Sequence, residues 1–143
     1  APGRADGEVR TAVAATELGE RIVLTGRIPA AELDALLVGA TIVAFPSAYE
    51  GFGIPVLESL AAGVPVVVGA GTPAAEMAGG PVPVGDPSNP AARAEALDLL
   101  LGDAGRRDRV ARAGLSRVVG RTWEDSAARL EDAWRRLLAA GGS

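Results

Sequence analysis

Two carboxylates stand eight positions apart in the stretch Phe45-Pro-Ser-Ala-Tyr-Glu-Gly-Phe-Gly-Ile-Pro-Val-Leu-Glu58. A carboxylate can accept hydrogen bonds from two neighbouring hydroxyls, so Glu58 suits the paired hydroxyls of a ribose and Glu50 those of a sugar. Between them, Gly51 and Gly53 permit a tight turn and a close approach of backbone to ligand. The N–H groups that open the following helix, near Ile54 to Leu57, can face an anion such as a diphosphate. Each feature also has an ordinary explanation. An acid near a helix N-terminus is stabilised by the helix dipole without any ligand, Glu50 can be a plain loop residue, and Gly-x-Gly alone is only a turn. Their combination at one strand-to-helix junction is what singles the stretch out, because ligands of open α/β sheets bind beyond the carboxyl ends of the strands.

The elements that must position these residues alternate short β-branched runs with longer amphipathic ones, the pattern of a parallel sheet flanked by helices. Strands are expected at Arg21–Thr25, Thr41–Phe45 and Val64–Val68, with a short edge strand at Val82–Val84 weakened by Pro83. Helices are expected at 8–18, 29–38, 55–62, 73–78, 89–101 and 105–119, and a closing helix at 122–140. Asn89-Pro90 reads as an N-cap followed by proline at the first helical position, and Thr122-Trp-Glu-Asp125 as a capping box with Asp in place of Glu. The chain opens on Ala1-Pro2-Gly3 and then a helix, where a layered α/β domain would have a strand. The expectation is therefore one α/β domain over 1–143, lacking its first strand or strands.

Composition narrows the chemistry. The 143 residues include 19 Gly and 10 Pro but no Cys, His or Lys, and all 14 cations are Arg. Absent Cys and His remove disulfides, thiolate metal sites, the commonest general base and the commonest metal ligand. A net charge of −4 gives no basic footprint for nucleic acid. Of the nine arginines from Arg106 to Arg136, all but Arg121 fall on expected helices, where a solvated face accounts for them. No run is long and apolar enough to span a membrane and no leader opens the chain, so a cytoplasmic location is expected, with peripheral membrane attachment of a longer parent left open. The Ala-, Gly- and Arg-rich composition suggests a high-GC bacterial source. A second glycine pattern, Gly69-Ala-Gly71-Thr-Pro-Ala74 after a strand with Asp86 further on, matches a dinucleotide fingerprint. The run from Pro73 to Ala78 reads as too short for the crossover helix such a site requires.

Val23-Leu-Thr-Gly-Arg-Ile28, Glu32-Leu33, Pro46-Ser-x-x-Glu-Gly-Phe-Gly-Ile-Pro-x-Leu-Glu58, Ala61-Ala-Gly-Val-Pro-Val-Val67 and Arg121-Thr-Trp123 together resemble the C-terminal domain of glycosyltransferase family four. The resemblance covers essentially the whole chain in order, and the Glu-x7-Glu element is its most specific part. It implies a Rossmann-like parallel sheet flanked by helices, most of one lobe of a two-lobed GT-B enzyme. That family holds a nucleotide-sugar, commonly a UDP- or GDP-sugar, and transfers the sugar with retention of configuration and without a bound metal or other cofactor. Carried over residue by residue, it makes Glu50 the glutamate at the donor sugar and reaction centre. Gly51, Phe52, Gly53 and Ile54 meet sugar hydroxyls and phosphate through their backbone. Leu57 packs near the nucleoside and Glu58 binds the ribose. Arg27 and Ile28, after Gly26, flank the base, and Ser47 belongs to the motif with its role open. The family's basic pair for the diphosphate lies upstream of this chain's start, and Arg4 and Arg10 are misplaced for it. The resemblance thus implies an absent N-terminal lobe or partner chain, weak donor binding and no turnover by this stretch alone.

Two other readings stay open on the residues. One is a non-catalytic Rossmann-like module that binds a partner through an exposed sheet edge. The other is a dinucleotide-binding domain using Gly69 and Gly71.

Overall fold

Val66, Val67, Val68 and Gly69 form strand β2, and all four are buried. A strand with no polar alternation needs cover on both faces and both edges, and β2 has it as the middle strand of a parallel sheet. The computed structural model describes residues 6–47, 51–79, 84–86 and 88–140. On one edge, β1 (Val43–Phe45) pairs with β2 in the register Val43 with Val66 and Phe45 with Val68. On the other, β3 (Val84–Gly85) pairs Val68 with Val84 and Gly69 with Gly85. The ladder of β1 opens with the Val43 amide donating to Pro65 O at 2.9 Å. Pro65 has no N–H to return, so neither strand extends upstream to the expected Thr41 and Val64. Val82 and Pro83 of the expected fourth strand lie outside the described residues.

The chain divides into two compact units, Ala1–Ala35 and Leu36–Ser143. The first holds α1 (Asp6–Ala14), a single 3-10 turn at Gly19–Arg21 and the start of α2 (Ala30–Gly39). Helix α1 stops four residues before the expected Leu18. There the Thr16 hydroxyl donates to Val13 O at 2.8 Å and offers the backbone an alternative to another turn. The expected strand Arg21–Thr25 is not formed. Arg21 closes the 3-10 turn, and Ile22 to Thr25 run on without secondary structure, with Val23 79% exposed. An apolar β-branched run becomes a strand only where a neighbour takes its hydrogen bonds, and no described segment does so.

In the second unit, α3 (Ile54–Ala61) follows β1, α4 (Pro73–Ala78) follows β2, and α5 (Pro90–Leu101) follows β3. The short α4 nevertheless serves as a crossover: residues 70–83 join two paired parallel strands, contrary to the expectation that this run is too short. Both helix caps read from the sequence are made. The Asn89 side chain accepts from the Ala91 and Ala92 amides at 3.0 and 3.3 Å. Helix α6 (Ala104–Val118) begins one residue before the expected Gly105, because the Asp103 carboxylate caps it by accepting from Arg106 N at 2.8 Å. The Arg107 guanidinium, one turn into α6, donates to Leu100 O and Leu101 O and so satisfies the end of α5.

The core gathers Val56 and Leu60 of α3, the three valines of β2, Ala74 and Ala78 of α4, Ala96 and Leu100 of α5 and Val110 of α6. Its tightest contact is Leu60 against Gly114, where an added Cβ would collide with the leucine side chain. Helix α7 (Trp123–Ala140) stands apart. Every residue of it is exposed, including Trp134 and Leu137. Its start is the capping box, with Thr122 Oγ1 accepting from Asp125 N at 3.1 Å, and ion pairs Arg135–Glu131 and Arg136–Asp132 run along it.

Leu60→Ala should lower unfolding free energy by about 2–5 kcal/mol, the usual cost of emptying a packed leucine site. Leu138→Ala, on the exposed helix, should stay within about 0.5 kcal/mol, both read by urea denaturation. The backbone hydrogen bond from Arg106 holds the Asp103 carboxyl below the usual carboxylate range. Its stabilisation is therefore present above the unfolded-state value and lost as the pH falls through the lower folded one. Asp103→Asn keeps the cap and should flatten that part of the acid limb of a pH–stability curve.

Candidate functional site

Gly53 is the residue from which the site is built. It is the N-cap of α3, buried, with φ +87° and ψ 40°, in the left-handed region that an L side chain rarely enters. A Cβ placed there would lie 3.3 Å from Ala74 Cα and 3.4 Å from Ala74 Cβ, so glycine is required both by the dihedral and by the space. At Gly51 no described atom lies within 4 Å of where a Cβ would stand.

The Gly53 carbonyl accepts from Val56 N at 3.0 Å and Leu57 N at 3.3 Å. Pro55 has no N–H. The donors at the start of α3 left without an acceptor among the described residues are accordingly those of Gly53 and Ile54, a different set from the expected Ile54 to Leu57. They sit at the positive end of an eight-residue helix. The fold directs the rest of α3 by amphipathicity. Val56, Ser59 and Leu60 go into the core, and the Ser59 hydroxyl donates to Pro55 O at 2.7 Å. Ile54 and Glu58, four residues apart, share the opposite face and are exposed. Glu58 begins the second turn, about 6 Å along the axis from Ile54 at 1.5 Å per residue. Leu57 is half-buried, and Phe52, like Ile54, exposes more than half its surface. The structure thus brings Phe52, Gly53, Ile54, Leu57 and Glu58 to one helix start beyond the carboxyl end of β1.

Ser47 is half-buried where the chain leaves β1. Just before it, Pro46 O accepts from Arg93 Nη1 at 3.4 Å, which ties the entry of the motif loop to the first turn of α5. Glu50 lies outside the described residues. Arg27 and Ile28 belong to the first unit, where they follow Gly26 with its φ of +61°; Arg27 is exposed and Ile28 half-buried. Among the described residues no three His, Cys, Asp or Glu side chains converge on a point where a metal ion could sit.

The turn after β2 was read only for its glycines, and its working residue is Thr72. This side chain is 2% exposed; its Oγ1 donates to Gly69 O at 2.7 Å and accepts from Ala75 N at 3.2 Å. Thr72-Pro73 is the same cap-then-proline signal as Asn89-Pro90, so it was available in the sequence. Asp86, the acid of the dinucleotide pattern, turns its carboxylate onto Ser88 N and Oγ at 2.8 and 2.7 Å.

The model of the family described as glycosyl transferases group 1 matches residues 3–117. O-antigen chain mannosyltransferase B of Escherichia coli is 35% identical over 113 residues, covering 78% of this chain and 29% of that protein. D-inositol 3-phosphate glycosyltransferase of Corynebacterium urealyticum is 36% identical over 111 residues, covering 76% and 26%. Among solved structures, sucrose-phosphate synthase from Thermosynechococcus elongatus superposes with a TM-score of 0.82 at 27% identity, over 96% of this chain and 35% of that one. The chain spans less than a third of the length of these two curated relatives.

Gly53→Ala should lower unfolding free energy by about 1–3 kcal/mol through the left-handed dihedral and the Ala74 contact. Gly51→Ala should change it by less than about 0.5 kcal/mol, and paired urea titrations separate the two.

Proposed function

Since the chain belongs to the group 1 glycosyl transferases, with the α/β fold of a GT-B C-terminal domain, we propose that it is the nucleotide-sugar-binding part of a retaining, metal-independent hexosyltransferase using a UDP- or GDP-sugar. One observation carries this reading: the Gly53 and Ile54 amides, at the positive end of α3, have no acceptor among the described residues, and Glu58 follows Ile54 one helical turn on along the same exposed face. That spacing suits a nucleoside diphosphate, with its charged part at the amides and its ribose at the carboxylate.

In this reading Glu58 accepts hydrogen bonds from the two ribose hydroxyls, and the exposed Ile54 and half-buried Leu57 give the nucleoside an apolar contact. The amides of Phe52, Gly53 and Ile54 and the α3 dipole meet the diphosphate and sugar hydroxyls. As the bond from sugar to diphosphate breaks, negative charge grows on the leaving phosphate. Fixed donors that face it in advance stabilise the transition state more than the ground state. Glu50 orients the sugar by its hydroxyls; it is not assigned as nucleophile. Ser47 stands at the loop entry. The remaining cationic charge for the diphosphate, and the acceptor contacts, come from an N-terminal lobe or partner chain.

In the full-length transferase, Glu58→Ala should lower kcat/KM for the donor at least tenfold. Unchanged kinetics would remove the ribose role. Retention is read separately, by NMR of the anomeric proton in the first product formed; an inverted centre would exclude that part of the proposal.

A further inference from the structure

The amides of Gly53 and Ile54 have no strand of their own to hold them; their aim depends on what Gly53 rests against. That support is Ala74, fully buried and close enough that even a methyl group on Gly53 would press on its Cα. Ala74 is the second residue of a six-residue helix, too short to hold its place by its own hydrogen bonds. The first turn of α4 closes through Ala75 N and Glu76 N, which donate to Thr72 O at 2.9 and 3.2 Å, and what joins that turn to the sheet is the Thr72 hydroxyl. It donates to Gly69 O at the end of the buried strand β2 and accepts from Ala75 N, one residue past the point of contact with Gly53. The turn between, Ala70-Gly71, is exposed, so this hydroxyl is the short link from sheet to helix.

We propose that Thr72 is a positioning residue for donor binding: through Ala74 it sets the aim of the Gly53 and Ile54 amides at the diphosphate. This rests on the donor-site reading of α3. Amide hydrogen bonds weaken steeply with misalignment, so a small drift of α4 is felt at Gly53. Glu58 is less sensitive to it, because Val56 and Leu60 hold the body of α3 in a core that also includes β2, α5 and α6, with Leu60 against Gly114 of α6. Loss of the Thr72 hydroxyl should therefore weaken the hold on the diphosphate and spare the hold on the nucleoside. A merely structural role would weaken both.

The test is calorimetry on the full-length protein that carries this chain, titrated with UDP, GDP, uridine and guanosine. Thr72→Val, which keeps the shape and removes the hydroxyl, should weaken the bound diphosphate about tenfold, the size of one compromised hydrogen bond. The matching nucleoside should change less than about twofold. Thr72→Ser, which keeps the hydroxyl, should restore diphosphate binding. Ala74→Ser, which leaves Thr72 in place and thickens the support under Gly53, should produce the same split and serves if Thr72→Val does not fold. Equal losses for diphosphate and nucleoside, or a Thr72→Ser protein as weak as Thr72→Val, would overturn the inference. So would wild-type affinity in a folded Thr72→Val protein while Glu58→Ala abolishes binding, and that outcome leaves the donor reading standing. A wild-type protein that binds neither UDP nor GDP removes the donor reading and this inference together.

Discussion

The contact between Gly53 and Ala74 ties the motif loop to the rest of the fold. Gly53 must leave its loop in a left-handed conformation to start α3, and it must do so with its Cα against the first turn of α4. Two helix starts that follow adjacent parallel strands are thereby brought together at one sheet edge. Any side chain at position 53 would separate them. The pairing of β1 with β2, the cap at Thr72 and the apolar face of α3 all bear on that meeting point, because each fixes one of the two backbones that touch there.

The arrangement divides labour within a single helix. Val56, Ser59 and Leu60 commit one side of α3 to the core, and the opposite side carries Ile54 and Glu58 outward. The buried set fixes the helix against the core, and the opposite face, with Phe52 just before it, is left exposed.

Much of this was legible in the residues, and the parts that were not share a cause. Asn89-Pro90 and Thr122 to Asp125 act locally: a cap is made within a few residues of itself, and both formed as read. The all-valine run of β2 announced burial on both faces. Arg21–Thr25 carries the same β-branched signal, yet a strand is a relation between two segments, and the second is not visible in one run of residues. The trimmed starts of β1 and β2 follow from Pro65, whose effect on its neighbour needs the register to be known. At the site, Glu58 and Gly53 were found by type and spacing, whereas Ala74 was not. No property of an alanine reveals that it is the residue a distant glycine leans on. The motif centred on Glu50 extends beyond the described residues, so the geometry speaks for its second half.

The unbonded amides at the start of α3 have a counterpart in the strand beside them. Val66 to Val68 pair with β1, Val68 and Gly69 pair with β3, and all four are buried, while Gly53 and Ile54 donate to nothing within the described residues. In terms of hydrogen exchange, the ladder protects the amides of β2 and leaves those of Gly53 and Ile54 outside it, although Gly53 itself is buried. Bound donor would therefore register as protection gained at two amides with little stiffening elsewhere, the mark of a surface that is already in shape.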